Sequence, residues 1–179
     1  MFADDVEKIL ISEKEITDRC TELGAQISRD YDGKDPIIVG LLKGSVPFMA
    51  ELIKHITVDC EIDFMAVSSY SGTESMGDVK IVKDLDHSIK GCHVLVVEDI
   101  VDTGKTLEKV KELLYSKGAA SVKVVSLLDK PDRRIVDIEA EYVGFVIPNE
   151  FVIGFGLDFD QKYRNLPYVG VLKEECYKQ

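Results

Sequence analysis

The chain of 179 residues contains only four cysteines, which lie far apart in the sequence, at Cys20, Cys60, Cys92 and Cys176. No two of them form a C-x-x-C pair, and the three histidines show no metal-binding spacing. This pattern argues against a structural zinc site and against a disulfide framework. Scattered thiols of this kind are typical of a reducing cytosol, so the sequence predicts a cytoplasmic protein.

Basic residues are also scarce, because 22 lysines and arginines stand against 33 aspartates and glutamates, for a net charge of −11. A nucleic-acid-binding protein normally carries a basic face, so this balance argues against that role. No apolar run approaches the roughly 18 residues needed to cross a bilayer. The first ten residues, MFADDVEKIL, lack the basic start and apolar centre of a signal peptide. We therefore expect neither a nucleic-acid partner nor a membrane.

What the chain does contain is a regular alternation of predicted strands and helices within the length of one domain. Continuous apolar runs such as PIIVGLL and CHVLVV are typical of buried strands, and SVKVVSLLD predicts a further strand. A capping box of Ser12 and Glu15 predicts a helix start. The segment VPFMAELIKHI predicts a helix with one apolar face, formed by Val46, Ala50, Ile53 and Ile56. This rhythm predicts right-handed β-α-β units and a central parallel sheet flanked by helices.

The two ends of the chain are less regular than its middle. The C-terminal part carries two short predicted strands, split by a Pro-Asn pair, and an irregular segment that returns to a last strand. We expect a single domain over residues 1–179. Its core would span about 34–145, and a small hood would come from about 1–12 and 146–179.

One stretch, VLVVEDIVDTGKT at residues 94–106, joins a predicted buried strand to a helix and ends in Gly-Lys-Thr. It is not a nucleoside-triphosphate loop, because G-x-x-x-x-G-K-[ST] would need glycine where the chain has Asp99. DTGKT offers backbone N–H groups, two hydroxyls and a helix N-terminus, which suit a monophosphate. Glu98 and Asp99 offer hard oxygen acceptors, which suit a ribose diol or the water shell of Mg²⁺.

An ordinary strand-loop-helix connection is the plain alternative for this stretch. Acidic residues at the start of a helix favour its dipole, and Gly104 would then only allow a tight turn. The position of the loop favours a ligand site instead, since open α/β sheets bind ligands at the carboxyl ends of their strands. A ligand with a phosphate next to a ribose diol would satisfy both halves of the stretch.

At this point the sequence resembles a known family. VLVVEDIVDTGKT is similar to the signature of type I phosphoribosyltransferases, in the form found in hypoxanthine-guanine phosphoribosyltransferases. The resemblance continues along the chain in GLLKGSVPF, SSYSGT, LLDKPDRR and EFVIGFGLDFDQKYRNLPYVGVL. It implies the type I fold, with a central parallel sheet, flanking helices and a hood built from both ends of the chain. The first thirty or so residues are the least diagnostic.

The resemblance implies a reaction in purine salvage. A 6-oxopurine would attack C1 of the ribose in phosphoribosyl pyrophosphate, giving a purine nucleoside monophosphate and pyrophosphate. Asp102 would be the general acid or base at the purine N7. Glu98 and Asp99 would hold the ribose hydroxyls directly or through Mg²⁺, and Asp158 would also help to bind Mg²⁺. The habit of the family implies a homodimer or a homotetramer.

The other matching residues would bind the substrates. Those for the 5′-phosphate are Thr103, Gly104, Lys105 and Thr106. Those for pyrophosphate are Lys43, Gly44 and Arg164, with a non-proline cis peptide bond expected at Leu42–Lys43. Lys130 would donate to the purine O6, Phe151 would stack on the ring and Val152 would offer backbone groups to its edge. Ser69 and Tyr70 would begin a mobile lid that excludes water from the reacting centre.

Simpler roles stay open for several of these residues when each position is taken alone. Asp102 could be a helix N-cap, and Lys43 and Gly44 could form an ordinary turn. Lys130 followed by proline suits a surface turn, and an aromatic such as Phe151 is more often part of a core. Two rival functions also remain, a nucleotide-binding regulator of gene expression and a phosphoribosyltransferase for adenine or a pyrimidine. The acidic charge disfavours the regulator, and Lys130 disfavours the other base specificities.

Overall fold

The computed structural model describes residues 2–69 and 79–178, and its elements follow the predicted alternation. The strands are β1 (Val6–Ile11), β2 (Ile37–Leu41), β3 (Glu61–Ser69), β4 (Val79–Lys83), β5 (His93–Val101), β6 (Ser121–Asp129), β7 (Tyr142–Val146), β8 (Val152–Ile153) and β9 (Val169–Leu172). The α-helices are α1 (Glu13–Asp30), α2 (Val46–Leu52) and α3 (Lys105–Ser116). Short 3₁₀ turns lie at Phe2–Asp5, Ile53–His55, Pro131–Arg133 and Glu174–Cys176. No helix in the described part of the chain is long and apolar enough to cross a membrane.

The central sheet has the strand order β4-β3-β2-β5-β6-β7. Strands β2, β3, β5, β6 and β7 are parallel, as predicted, whereas the edge strand β4 runs antiparallel to β3. From β2 the order proceeds to β3 on one side, and from β5 it proceeds to β6 and β7 on the other. The strand order therefore reverses between β2 and β5, which is the point where sheets of this kind bind ligands.

Side chains on the two faces of the sheet form separate hydrophobic layers. Leu95 and Val97 of β5 pack in the layer that contains α1 and α2, whereas Val94 and Val96 pack in the layer that contains α3. This alternation follows from the two-residue period of a strand, and it buries β5 on both faces, as its continuous apolar run predicts. The helices on opposite faces leave the carboxyl ends of β2 and β5 free to form a site.

Helix α1 begins as the sequence predicts. The side chain of Ser12 accepts a hydrogen bond from the backbone N–H of Glu15, and the Glu15 carboxylate accepts one from the Ser12 backbone N–H. The apolar side chains of α1 at helical spacing are all buried, at Ile16, Cys20, Leu23 and Ile27.

The predicted apolar face of α2 is wrong for Val46 and Ala50, whereas Ile53 and Ile56 pack against the core as predicted. The buried side chains of α2 are Phe48, Met49 and Leu52, whereas Val46 and Ala50 are exposed. The α-helix ends at Leu52 and a 3₁₀ turn follows it, so the α-helical period does not reach Ile56. The turn after β2 sets this orientation, because it directs Met49 onto Gly40, where a β-carbon would lie 2.6 Å from the Met49 sulfur.

The hood is a three-stranded antiparallel sheet in the order β1-β9-β8, built from both ends of the chain as predicted. Its strands surround a small hydrophobic cluster of Ile153, Tyr163 and Leu172. The connection between β8 and β9, residues 154–168, carries most of the C-terminal motif. This connection lies against the turn that follows β2, which brings the hood to the ligand-binding end of the central sheet.

Candidate active site

The turn after β2 and the end of β5 meet at the point where the strand order reverses. The peptide bond between Leu42 and Lys43 in this turn is cis, as the resemblance implies. Gly44 lies so close to Asp99 that a β-carbon on Gly44 would be 1.7 Å from a carboxylate oxygen of Asp99. Because of this contact, position 44 has space only for glycine, which a Lys-Gly pair alone does not reveal.

The connection between β8 and β9 covers this turn from the hood side. A β-carbon on Gly156 would lie 1.9 Å from the backbone oxygen of Gly44, and Gly156 has a φ of +100°. The guanidinium of Arg164 donates to the Gly156 oxygen at 2.6 Å and pairs with Asp158 at 2.9 Å. Gln161 accepts a hydrogen bond from Lys43 at 3.3 Å. Arg164, Asp158 and Lys43 are thus brought to one side of the cleft.

The two carboxylates at the end of β5 are in an environment that disfavours negative charge. Burial raises the pKa of Glu98 well above its ordinary value, and the neighbouring charge of Asp99 raises it further. Burial also raises the pKa of Asp99, although hydrogen bonds from the backbone of Ile100 and Asp99 and the charge of Arg164 act in the opposite direction. Buried carboxylates of this kind are suited to accept a cation or hydroxyl donors that replace the lost water.

The loop from β5 to α3 surrounds a small cavity of about 130 Å³. Its lining includes Glu98, Asp102, Thr103, Gly104 and Thr106. Gly104 stands just before α3 with a φ of +84°, and no side chain caps the helix there. The backbone N–H groups at the start of α3 therefore remain available for an anion, and the N-cap alternative for Asp102 is wrong.

A second cavity, of about 460 Å³, opens between the ends of β5 and β6 and the hood. Asp102, Lys130, Phe151, Val152 and Asp158 all line it. Lys130 is 8% exposed, and its ammonium group donates to the backbone oxygen of Glu150 at 2.7 Å. Burial lowers the pKa of Lys130, while the charge of Asp102 acts against that shift.

Two of the simpler roles are wrong in this cavity. Lys130 is buried, so it does not form a solvated surface turn. Phe151 is 38% exposed although it is a large apolar residue, so it is not part of a core. The cavity combines a carboxylate, a buried cation and an exposed aromatic ring, which are the groups that orient a flat polar heterocycle.

The comparisons with known proteins agree with this geometry. The model of the phosphoribosyl transferase domain matches residues 8–160. The chain is 57% identical over 178 residues to the hypoxanthine-guanine phosphoribosyltransferase of Streptococcus pneumoniae, with 99% of each chain covered. It is 58% identical over 175 residues to that of Lactococcus lactis, covering 97% of this chain and 95% of the relative. A crystal structure of a hypoxanthine phosphoribosyltransferase from Staphylococcus aureus superposes with a TM-score of 0.96 at 53% identity, covering 99% of this chain and 97% of the other.

The chain belongs to the hypoxanthine-guanine phosphoribosyltransferase family. It is accordingly a transferase with the type I phosphoribosyltransferase fold. The identification agrees with the sequence resemblance, which depended on the acidic half of residues 94–106.

Most residues matched to the family motif lie around one cleft, but not all of them line the two cavities. Lys105 is exposed at the start of α3 and does not line the phosphate-sized cavity. Ser69 ends β3, and the predicted lid residue Tyr70 lies outside the described residues. Among the described residues, no group of three or more metal-binding side chains forms a ready-made metal site. Glu98, Asp99 and Asp158 therefore do not enclose a cation by themselves.

Two further arginines of this phosphoribosyltransferase contact Asp102, and the sequence did not single them out. Arg133 donates to the Asp102 carboxylate at 2.9 Å, and Arg134 donates to the Asp102 backbone oxygen at 2.5 Å. Both belong to the LLDKPDRR motif, which predicts no contact with a loop some thirty residues earlier. These contacts form because β5 and β6 are neighbouring strands. The strand order of the sheet, and not the motif, is therefore the feature that predicts them.

Proposed function

We propose that this enzyme transfers the 5-phosphoribosyl group from phosphoribosyl pyrophosphate to hypoxanthine, guanine or both, forming IMP or GMP and pyrophosphate. The observation that carries the proposal is the shared cavity of Asp102, Lys130 and Phe151, which adjoins the phosphate-sized cavity at Asp102. A purine presents O6 and N7 on adjacent positions of one edge. Lys130 would donate to O6, while Asp102 would accept the proton at N7, and the ring would lie on Phe151.

The bond changes balance as follows. N9 of the purine forms a bond to C1 of the ribose, and the bond from C1 to the pyrophosphate oxygen breaks. The proton on N7 of the purine passes to the Asp102 carboxylate. Glu98 and Asp99 would hold the ribose hydroxyls, and the backbone N–H groups of residues 103–106 would hold the 5′-phosphate. Lys43, Gly44 and Arg164 would contact the leaving pyrophosphate, where a guanidinium fork suits phosphate oxygens.

The donor set at the cleft fits Mg²⁺. Asp99 and Asp158 are close enough for the charge of Asp158 to raise the pKa of Asp99, and both offer the hard oxygens that Mg²⁺ prefers. Because these carboxylates do not enclose a cation, the remaining positions would be filled by water and substrate oxygens, as is usual for this ion. Glu98, Asp99 and Asp158 would hold Mg²⁺, which when bound would supply positive charge for the leaving pyrophosphate.

We infer that the enzyme forms a homodimer or homotetramer and is located in the cytoplasm. Light scattering after gel filtration would measure the oligomeric state, and cell fractionation would test the location. The four cysteines are all free in the structure, which supports a reducing compartment.

A base panel tests the activity. Purified enzyme receives phosphoribosyl pyrophosphate, Mg²⁺ and one of hypoxanthine, guanine, xanthine or adenine, and nucleotide formation is followed. We expect product from hypoxanthine or guanine and none from adenine. Asp102→Asn, which keeps the shape but loses the carboxylate, should lower kcat by roughly 10²–10⁴. The absence of product from every 6-oxopurine would refute the activity, and an Asp102→Asn variant with nearly intact turnover would refute the role of Asp102.

A further inference from the structure

Tyr177 places a second aromatic ring beside the base cavity. It follows β9 and the 3₁₀ turn Glu174–Cys176, and it lines the same cavity as Asp102 and Lys130. The rings of Tyr177 and Phe151 are stacked, with 4.7 Å between their centroids and 20° between their planes. No family motif recognised in the sequence includes Tyr177.

Phe151 is supported by rings from the hood. Phe159 approaches it nearly at a right angle, with 5.6 Å between centroids and 86° between planes. Tyr177 and Phe159 both pack against the hood cluster of Ile153, Tyr163 and Leu172. Phe151 itself is outside that cluster, is 38% exposed and lines the base cavity. The two supporting rings are thus on the hood side, and Phe151 presents its exposed part to the base cavity.

The turn that carries Tyr177 is held in place by backbone hydrogen bonds. Leu172 donates to the Phe151 oxygen at 2.9 Å, which ties β9 directly to the residue that Tyr177 supports. Lys173 donates to the Asp5 oxygen at 3.0 Å, and Tyr177 donates to the Glu174 oxygen at 3.2 Å. The C-terminal turn therefore has a defined path that returns the Tyr177 ring to Phe151.

We propose that Tyr177 is a positioning residue of the base site, which holds the Phe151 ring in the orientation that stacks on the purine. This inference rests on the proposed function. The stacked face of Tyr177 and the edge contact of Phe159 restrict rotation of Phe151, so the ring needs less ordering when a base binds. The effect should appear in base binding and not in the binding of phosphoribosyl pyrophosphate, because Tyr177 does not line the phosphate-sized cavity.

Steady-state kinetics of full-length variants test the inference. Tyr177→Ala should raise KM for hypoxanthine by roughly 3- to 10-fold, the fold-change that corresponds to one aromatic pair. KM for phosphoribosyl pyrophosphate and kcat should stay within about twofold of the wild type. Tyr177→Phe, which keeps the ring, should restore base KM to within about twofold. Lys178→Ala serves as a neighbouring control, because Lys178 is an exposed residue paired with Glu174.

An unchanged base KM in Tyr177→Ala overturns the inference, and a lower base KM overturns it in favour of a ring that blocks the base site. A rise in both KM values together with a lower Tm overturns it in favour of general structural support. If the wild type forms no nucleotide and calorimetry detects no IMP or GMP binding, the proposed function fails and the inference falls with it. A fully active wild type with an equally active Tyr177→Ala variant rejects the inference alone.

Discussion

The guanidinium of Arg134 donates a hydrogen bond to the backbone oxygen of Asp102, with 2.5 Å between the two atoms. The same guanidinium pairs with the carboxylate of Asp129, and its side chain is only 14% exposed. Asp102 follows β5 and Asp129 ends β6, immediately before Lys130. Arg134 therefore connects the two strand ends that carry the residues proposed to contact N7 and O6 of the purine.

Replacing Arg134 should impair catalysis because Asp102 and Lys130 would no longer be held in position. We expect Arg134→Gln to lower kcat/KM for hypoxanthine by roughly 10- to 100-fold, since a partly buried hydrogen bond to a charged group contributes about 1.5–3 kcal/mol. Arg134→Lys should also be impaired, because an ammonium cannot bind two acceptors as a planar fork does. Steady-state rates at saturating phosphoribosyl pyrophosphate measure both effects.

Arg19 offers a matched control for Arg134. Like Arg134, it binds two acceptors through its guanidinium, here the backbone oxygens of Val143 at 2.8 Å and Gly144 at 3.0 Å, between α1 and β7. Arg19→Gln should lower thermal stability and leave kcat/KM unchanged. Equal losses of kcat/KM in the Arg19 and Arg134 variants would show that Arg134 acts only through general stability.

Replacing Lys130 should change base selectivity. Lys130→Gln substitutes an amide that can donate to an oxo group or accept from an amino group, whereas Lys130→Met can do neither. We expect both variants to lose roughly 10- to 100-fold in kcat/KM for hypoxanthine, because methionine leaves the purine O6 unpaired and glutamine replaces a charged donor with a weaker neutral one. The ratio of kcat/KM for adenine to that for hypoxanthine should rise more in Lys130→Gln than in Lys130→Met. Identical ratios in both variants would contradict a contact between residue 130 and position 6 of the purine.

The raised pKa of Glu98 predicts how stability depends on pH. Between the ordinary value of about 4.3 and the raised value, the folded state binds more protons than the unfolded state. The stability of the ligand-free enzyme should therefore fall as pH rises through that window. Glu98→Gln should flatten this fall and raise Tm near neutral pH, because the neutral amide removes the charge whose burial disfavours the folded state.

Thermal melts from about pH 4.5 to about pH 8 without ligands measure this effect, because the range begins near the ordinary pKa of a glutamate. Glu112→Gln is a suitable control, since Glu112 is an exposed carboxylate paired with Lys109 on α3. Glu112→Gln should show the same dependence of Tm on pH as the wild type. A Glu98→Gln profile with the same slope as the wild type would be inconsistent with a buried, charge-disfavouring site.

Gly44 should tolerate no side chain. The β-carbon of Gly44→Ala would overlap the Asp99 carboxylate, so either the turn or the carboxylate must move. We expect KM for phosphoribosyl pyrophosphate to rise, with a stability loss of about 1–3 kcal/mol from overpacking. Gly33→Ala is the control, because Gly33 has a φ of +70° but a β-carbon added there would meet nothing within 4 Å. It should lose stability and keep its substrate KM values, and a Gly44→Ala enzyme with normal KM would refute the proposed role of this turn.

Local patterns in the sequence were sufficient for the parts of the molecule whose causes are local. The capping box of Ser12 and Glu15 starts α1 because both partners lie within one turn. The continuous apolar run of β5 predicts a strand buried on both faces, and the acidic residues that follow it excluded a triphosphate loop. The family resemblance then placed the remaining motifs in order along the chain.

The tertiary structure alone decided which distant groups touch. Residue spacing does not show that Gly44 excludes a side chain because of Asp99, or that Arg134 and Tyr177 support Asp102 and Phe151, since each pair is joined only when separate strands become neighbours. The apolar face predicted for α2 was wrong at Val46 and Ala50 for the same reason: the turn after β2, and not the spacing of apolar residues, decides which side of that helix meets the sheet. Sequence by itself determined the fold, the family and the residue types at the cleft, because these depend on short-range patterns. The shape, burial and mutual contacts of those residues depend on long-range packing.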